Sequence, residues 1–238
     1  PFNGNAKDES GNGNNGSVTG ATLTTGKNGS ENTAYSFDGD DDYIDIGTNA
    51  DFNLTNSGFS FSFWMNSSVA PNQSGQILSH PNNEQFQFTH GTNNQVTFTT
   101  KPNNEWNAVG SLAMASGWNH FVGVYEHNNA TVKIYQNGVL SNKEVLTKPV
   151  NFSSDTAHSR TLIGAILTGG QGDPIEELNS KLDDVGLWSR PLAANEVYQL
   201  FTGVIDTVSP TVVLSHSANS TTLLNGKSVT ISATFSEA

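Results

Sequence analysis

An all-β antiparallel domain is the fold this sequence predicts, and three observations predict it. Apolar residues recur at every second position in one segment after another. Clusters of Asn, Gly, Asp and Ser separate those segments and supply turns. Helical spacing occurs in a single short stretch near residue 197.

Residues 1–33 are dominated by Asn, Gly, Ser and Thr, with Val18, Ala21 and Leu23 scattered among them, which predicts an ordered loop and one short strand. From Tyr35 the period becomes two. Tyr35 and Phe37 precede an acidic corner, Ile44 and Ile46 follow it, and the pattern predicts a hairpin. Residues 59–65 alternate apolar side chains with Ser60 and Ser62, so Phe59, Phe61, Phe63 and Met65 share one buried face. Further strands fit Gln76–His80, Glu84–His90, Gln95–Lys101, Trp118–His127, Ala130–Gln136, Thr161–Ala165 and Leu182–Trp188. Asn128-Asn129 tolerates positive φ and predicts a tight hairpin between two of these; Asn137-Gly138 marks a second turn. The one helix is Ala193–Phe201, where Ala193, Val197, Leu200 and Phe201 repeat at helical spacing between Pro191 and Gly203.

The composition changes again at Asp206–Pro210, which reads as part of a linker over 205–210. Two alternating segments follow, Thr211–Ser215 and Val229–Phe235. A lone pair of strands exposes too much unpaired edge to be stable, so residues 211–238 read as the truncated start of a second domain after a first over 1–204. The chain opens Pro-Phe-Asn rather than with Met and reads as a mature or trimmed fragment.

Charge excludes some functions. With 10 basic against 22 acidic residues and a net charge of -12, the surface repels nucleic acid and anionic lipid. No cysteine is present, so disulfides and thiolate metal sites are excluded. No apolar run approaches the roughly 20 residues of a membrane span. Neither membrane insertion nor a signal peptide is expected.

Five blocks resemble one family: PFNGNAKDESGNGNNG at 1–16, YSFDGDDDYIDIG at 35–47, FSFSFWMN at 59–66, WNHFVGVYEHNNATVKIYQNGVL at 118–140 and KLDDVGLWSRPLAANEVYQLFTG at 181–203. They resemble the laminin G-like, concanavalin A-like domains of secreted bacterial proteins. The resemblance implies a two-sheet antiparallel jelly-roll sandwich and an extracellular, secreted or cell-surface setting. The tail from Asp206 resembles the opening strands of bacterial immunoglobulin-like repeats.

Candidate chemistry begins at the acidic corner. Asp38, Asp40 and Asp42 have the first spacings of an EF-hand loop, but Tyr43 stands where that loop needs Gly and Asn49 where it needs a bidentate Glu. An EF-hand is therefore excluded, which leaves a structural turn or a weak calcium site. Asp8, Asn12 and Asn14 offer closely spaced oxygens suited to a hard cation. The resemblance implies a structural calcium where such a loop meets an aspartate of the last strand, here Asp183. The alternative is that Asp8 and the asparagines make Asx-turns while Asp183 and Asp184 bind backbone.

Catalysis finds little support. No strand carries the alternating Glu-x-Asp-x-Glu of jelly-roll glucanases, Glu176 and Glu177 are adjacent, and the lyase-like pairing of Gln87 with His90 has the wrong spacing for one face. His80, His90, His120 and His127 lack zinc spacing and read as exposed or capping. Trp64, Trp118 and Trp188 fall in strands and read as core. Trp106 lies in a polar loop, where its ring with the amides of Asn103, Asn104 and Asn107 could form a sugar or partner platform, or simply anchor the loop. The sequence thus predicts a non-catalytic binding and adhesion module that recognises glycans or a cell-surface protein and carries a structural calcium. Two alternatives stand beside it: a spacer or filament protomer that self-associates through its C-terminal strands, and a polysaccharide-degrading enzyme.

Overall fold

The computed structural model describes residues 2–48, 58–67, 73–80, 86–100, 107–149, 160–167, 172–204, 212–216 and 231–235. The chain divides into two units, Pro1–Thr202 and Gly203–Ala238. In chain order the first contains β1 (Ser17–Thr19), β2 (Thr22–Thr24), β3 (Ala34–Asp38), β4 (Tyr43–Asp45), β5 (Phe59–Asn66), β6 (Gly75–His80), β7 (Phe86–His90) and β8 (Val96–Thr100). It continues with β9 (Asn107–Gly110), β10 (Trp118–Glu126), β11 (Thr131–Gln136), β12 (Val139–Val145), β13 (Leu162–Ile163), β14 (Ile166–Leu167), β15 (Pro174–Ile175), β16 (Asn179–Trp188) and the helix α1 (Ala194–Thr202). The second unit contributes the antiparallel pair β17 (Val212–His216) and β18 (Ile231–Phe235), with Val212 opposite Phe235.

Two 7-stranded sheets, β1-β4-β13-β6-β7-β8-β9 and β12-β11-β10-β5-β16-β3-β2, make the sandwich, and β14 pairs with β15 apart from them. The alternation seen in sequence is what joins the layers. Phe59, Phe61, Phe63 and Met65 all point inward from β5 and meet Phe86, Phe88 and Phe98 of the other sheet. Ring centroids lie 4.7 Å apart for Phe61 and Phe86, 5.4 Å for Phe63 and Phe88, and 4.5 Å for the stacked Phe88 and Phe98. Gly123 of β10 makes room for that stack, because a Cβ there would lie 2.6 Å from Phe88 Cε1 and 2.9 Å from Phe98 Cδ1.

The other face of β5 is buried as well, which the sequence did not predict. Ser60 and Ser62 lie under a second layer formed by α1 and the segment leading into it. There Val122, Val124 and Tyr135 pack against Leu192 and Val197, with Trp188 half-buried beside them. Ser60 fixes the approach to the helix: its hydroxyl donates to Arg190 O (3.1 Å) and accepts from Leu192 N–H (2.8 Å). Glu196 then caps the helix start by accepting from Ala193 N–H at 2.8 Å, and Gly203, at φ 68°, follows its end.

Several sequence expectations need correction. The stretch 35–46 is not a hairpin: β3 pairs with β2 and β16 in one sheet, whereas β4 pairs with β1 and β13 in the other. The acidic corner carries the chain between layers. Both sheets bury alternate residues, so periodicity alone cannot separate a hairpin from a change of sheet. The first 33 residues hold two strands rather than one. β12 escaped detection because its residues are largely exposed and no buried face imposes alternation. In the turn after β10 the positive φ falls on Ala130 (49°), while Asn137 (51°) and Gly138 (78°) turn as expected.

Candidate functional site

The N-terminal loop has too few apolar side chains to hold itself by burial, so hydrogen bonds do the holding. Asp8 organises it, accepting from Ser10 N–H at 2.8 Å and from Asn14 N–H at 3.0 Å, while its own N–H donates to Asn15 Oδ1 at 3.1 Å. The hydrogen bond from Ser10, followed by those of the Asn14 backbone, holds the Asp8 carboxyl below its ordinary range against the opposing effect of burial. These are the Asx-type contacts that the sequence admitted as one reading. At the neck of the loop Gly16 N–H donates to Ala6 O at 2.7 Å, and Phe2 packs edge-on against Tyr35 with centroids 5.0 Å apart.

Under this loop lies a cavity of about 740 Å³. Asp8, Asn12 and Asn14 border it together with Val185–Ser189, so the first loop and the last long strand do share one wall. Asp183 does not. Its register opposite Trp64 places it on the face that carries His120 and α1. There its Oδ2 accepts from Lys27 N–H at 3.0 Å and its Oδ1 from Asp184 N–H at 2.7 Å. Gly26 permits the approach, since a Cβ at that residue would lie 2.6 Å from Asp183 Oδ2. Three of the four expected metal ligands thus border one cavity, and the fourth holds a different turn.

The Asp183 cluster is tightly built. β16 bulges between Asp183 and Gly186, and Asp184 takes a φ of 45°. Lys27 Nζ lies 3.2 Å from Asp184 Oδ2 and 4.9 Å from the centroid of Trp64, whose ring stacks on Phe201 and faces His120 at 5.0 Å. Burial, and then the charge of Asp184, push the Asp183 carboxyl up against the pull of Lys27 N–H. Replacing Asp183 by alanine is expected to cost about 2 kcal/mol, because two backbone donors lose their acceptor. Urea unfolding measures it; an unchanged midpoint would remove Asp183 from any structural role.

Histidines supply a further correction. His90 and His120 are each 1% exposed, and His80 stacks on Phe86 while bonding the Thr161 hydroxyl at 2.8 Å. His120 Nε2 lies 2.8 Å from Ser62 Oγ, which resembles a base and nucleophile but is sealed beneath Trp64 and Phe201. Period-two placement within strands was the signal that could have marked these rings as buried.

The acidic corner gathers Asp38, Asp41 and Asp42, with one carboxylate oxygen from each lying within 4.8 Å of the others, so this cluster could bind a metal. Asp42 is 5% exposed, packs on Gly20 and accepts from Asp38 N–H at 2.9 Å. Burial raises its pKa, and the charges of Asp38, Asp41 and Asp40 raise it further. Of the expected sugar platform, Trp106, Asn103 and Asn104 lie outside the described residues. Asn107 opens β9 opposite Thr100 and is half-buried.

The model of the concanavalin A-like lectin/glucanases superfamily matches residues 37–198. No curated protein matches the sequence. Solved structures with this fold include the binding domain of Paraclostridial mosquitocidal protein 1, with 16% identity and a TM-score of 0.67 over 83% of this chain and 49% of that one. The binding domain of botulinum neurotoxin DC in complex with SialylT aligns with 18% identity and a TM-score of 0.61 over 84% of this chain and 49% of that one. The native heptameric SAP-like pentraxin of Limulus polyphemus aligns with 16% identity and a TM-score of 0.50 over 60% of this chain and 69% of that one. The chain therefore spans about half the length of the toxin binding domains it matches.

Proposed function

Because the chain belongs to the concanavalin A-like lectin/glucanase superfamily, we propose that it is a non-catalytic module that binds glycans or a cell-surface protein from a secreted or surface-anchored protein. The observation that carries this reading is that five of the carboxylates among the described residues are taken up in structural contacts. Asp45 pairs with Arg160, Glu126 with Lys133, Glu196 with Arg190, and Glu176 accepts from Gln76, while Asp183 holds the Lys27 turn. A retaining or inverting glycosidase needs two carboxyl groups facing one another across a groove. Fold relatives named as binding domains, one of them in complex with SialylT, support the same reading. Among the described residues no helix is long and apolar enough to cross a membrane. A glycan array and a cell-binding assay on the full chain test the proposal; binding to neither a glycan nor a cell surface would defeat it, as would release of reducing sugar from a polysaccharide.

A structural calcium belongs to this reading, and the Asp38, Asp41 and Asp42 corner suits it better than the N-terminal loop. A cation there would relieve the burial and mutual repulsion that raise Asp42, whereas both Asp8 oxygens already accept backbone N–H groups. At calcium concentrations about 100 times the dissociation constant the added stability is about 2.7 kcal/mol. Calcium is expected to raise the melting temperature of the wild type and of Asp8→Asn, but not that of Asp41→Asn. A melting temperature indifferent to calcium and to EDTA would exclude the site.

A further inference from the structure

The first sheet-to-sheet layer is incompletely filled at one end, and the reason lies in strand pairing. β3 pairs with β16 only at Asn179–Leu182, so beyond the bulge β16 keeps β5 on one side and, among the described residues, no ladder on the other. The N-terminal loop covers the resulting gap, but of its residues 2–8 only Phe2 and Ala6 bring apolar side chains to it. Protein cores are ordinarily packed to the density of organic crystals. Here Ala6, Ile46, Val185 and Leu187 remain only partly buried although they pack on the principal core, and all four border the cavity. Four of the five partly buried hydrophobic residues packed on the principal core therefore meet at this place.

We propose that the cavity of about 740 Å³ between the two sheets is a binding site for an uncharged amphiphile, a hydrocarbon body carrying a hydroxyl or ether head. The volume falls within the range of about 300–1,000 Å³ that holds small molecules. Ile46, Val185 and Leu187 offer partly exposed apolar side chains to it over a buried floor of Phe61, Leu78 and Ile163, a setting for the hydrocarbon. Its mouth is hydrophilic, with Ser10, Asn12 and Asn14 offering hydroxyl and amide groups. Lys7 stands there beside Asp8 and Glu9, so the mouth carries more negative than positive charge and disfavours an anionic ligand head. The loop can act as a flap: its neck is closed by the Gly16 to Ala6 hydrogen bond, and Gly11 and Gly13 take φ values of 87° and 83° with open space around them. None of the residues bordering this cavity belongs to the acidic corner, and the proposal does not rest on glycan binding, so it stands or falls independently of the proposed function.

Two probes test it on the full chain: the neutral dye Nile red, read by fluorescence, and decanol, read by displacement of the dye and by nuclear Overhauser effects to methyl groups. Saturable one-to-one binding, displacement by decanol, and contacts from decanol to Ile46, Ile163 and Leu187 are expected. Filling the cavity with Leu187→Trp should weaken dye binding at least tenfold. The methyl contacts in the wild type decide the matter even where that variant folds poorly. Absence of saturable binding, methyl contacts confined to other residues, or unchanged affinity in a folded Leu187→Trp protein would each overturn the proposal.

Discussion

Truncation of Phe88 to alanine is expected to destabilise the protein by about 3–5 kcal/mol, the cost of deleting a fully buried aromatic and leaving a cavity. For a unit of this size the melting temperature should fall by roughly 10 °C. Phe88 stands where the two layers interlock. It stacks on Phe98, meets Phe63 and Phe61 edge-on at 5.4 and 6.0 Å, and lies over Gly123. Gly123→Ala should itself cost about 1–3 kcal/mol through overpacking, since its new methyl would push the Phe88 and Phe98 rings from their stack. The two changes should not add. Once Phe88 is gone, the methyl at residue 123 enters vacated space, so the double variant should be no less stable than Phe88→Ala alone. Urea unfolding of the four proteins gives the coupling; strict additivity would show that Gly123 does not serve the ring stack.

Legibility in the sequence followed burial. β5, β7, β8, β10 and β11 could be read because one face of each is sealed in the core, which forces every second residue to be apolar. β12 could not, because an exposed strand obeys no such rule. Sheet membership was also illegible. Residues 34–45 alternate in the same way whether they return in one sheet or pass to the other, and only the long-range pairing of β3 with β16 and of β4 with β13 decides. The second layer over β5 was hidden for a related reason: Ser60 and Ser62 read as solvent-facing, yet their hydroxyls satisfy the chain leading to α1 and the His120 ring. The candidate site was partly visible. Asp8, Asn12 and Asn14 lie in one loop beside the cavity, but the bulge at Asp183 turns that carboxylate toward Lys27, and no local pattern announces a bulge.

The histidines make the largest prediction for solution behaviour. Burial pushes His80 and His120 down from an ordinary 6.5 to about 4, and for His120 the charge of Lys27 adds to the effect. The unfolded chain therefore binds protons before the folded one does. Stability is fully present above about pH 6.5 and is lost as the pH falls toward 4, by about 3 kcal/mol for each ring when that lower value is reached. The buried Nδ1 of His120 has no hydrogen-bond partner among the described residues, so a proton placed there would add a buried charge beneath Trp64 and Phe201 that the charge of Asp184 offsets only in part. Asp42 and Asp183 act in the opposite sense. Their raised pKa values mean that the folded state gains protons first, which offsets part of the loss in the most acidic range. Replacing Ser62 by alanine and His120 by phenylalanine together removes both members of the polar pair while keeping a ring between Trp64 and Phe201, so stability at pH 7.5 should change little. Between pH 6.5 and 4 the double variant should lose about 3 kcal/mol less than the wild type in urea unfolding. An identical acid profile for the two proteins would show that His120 protonation does not drive the loss.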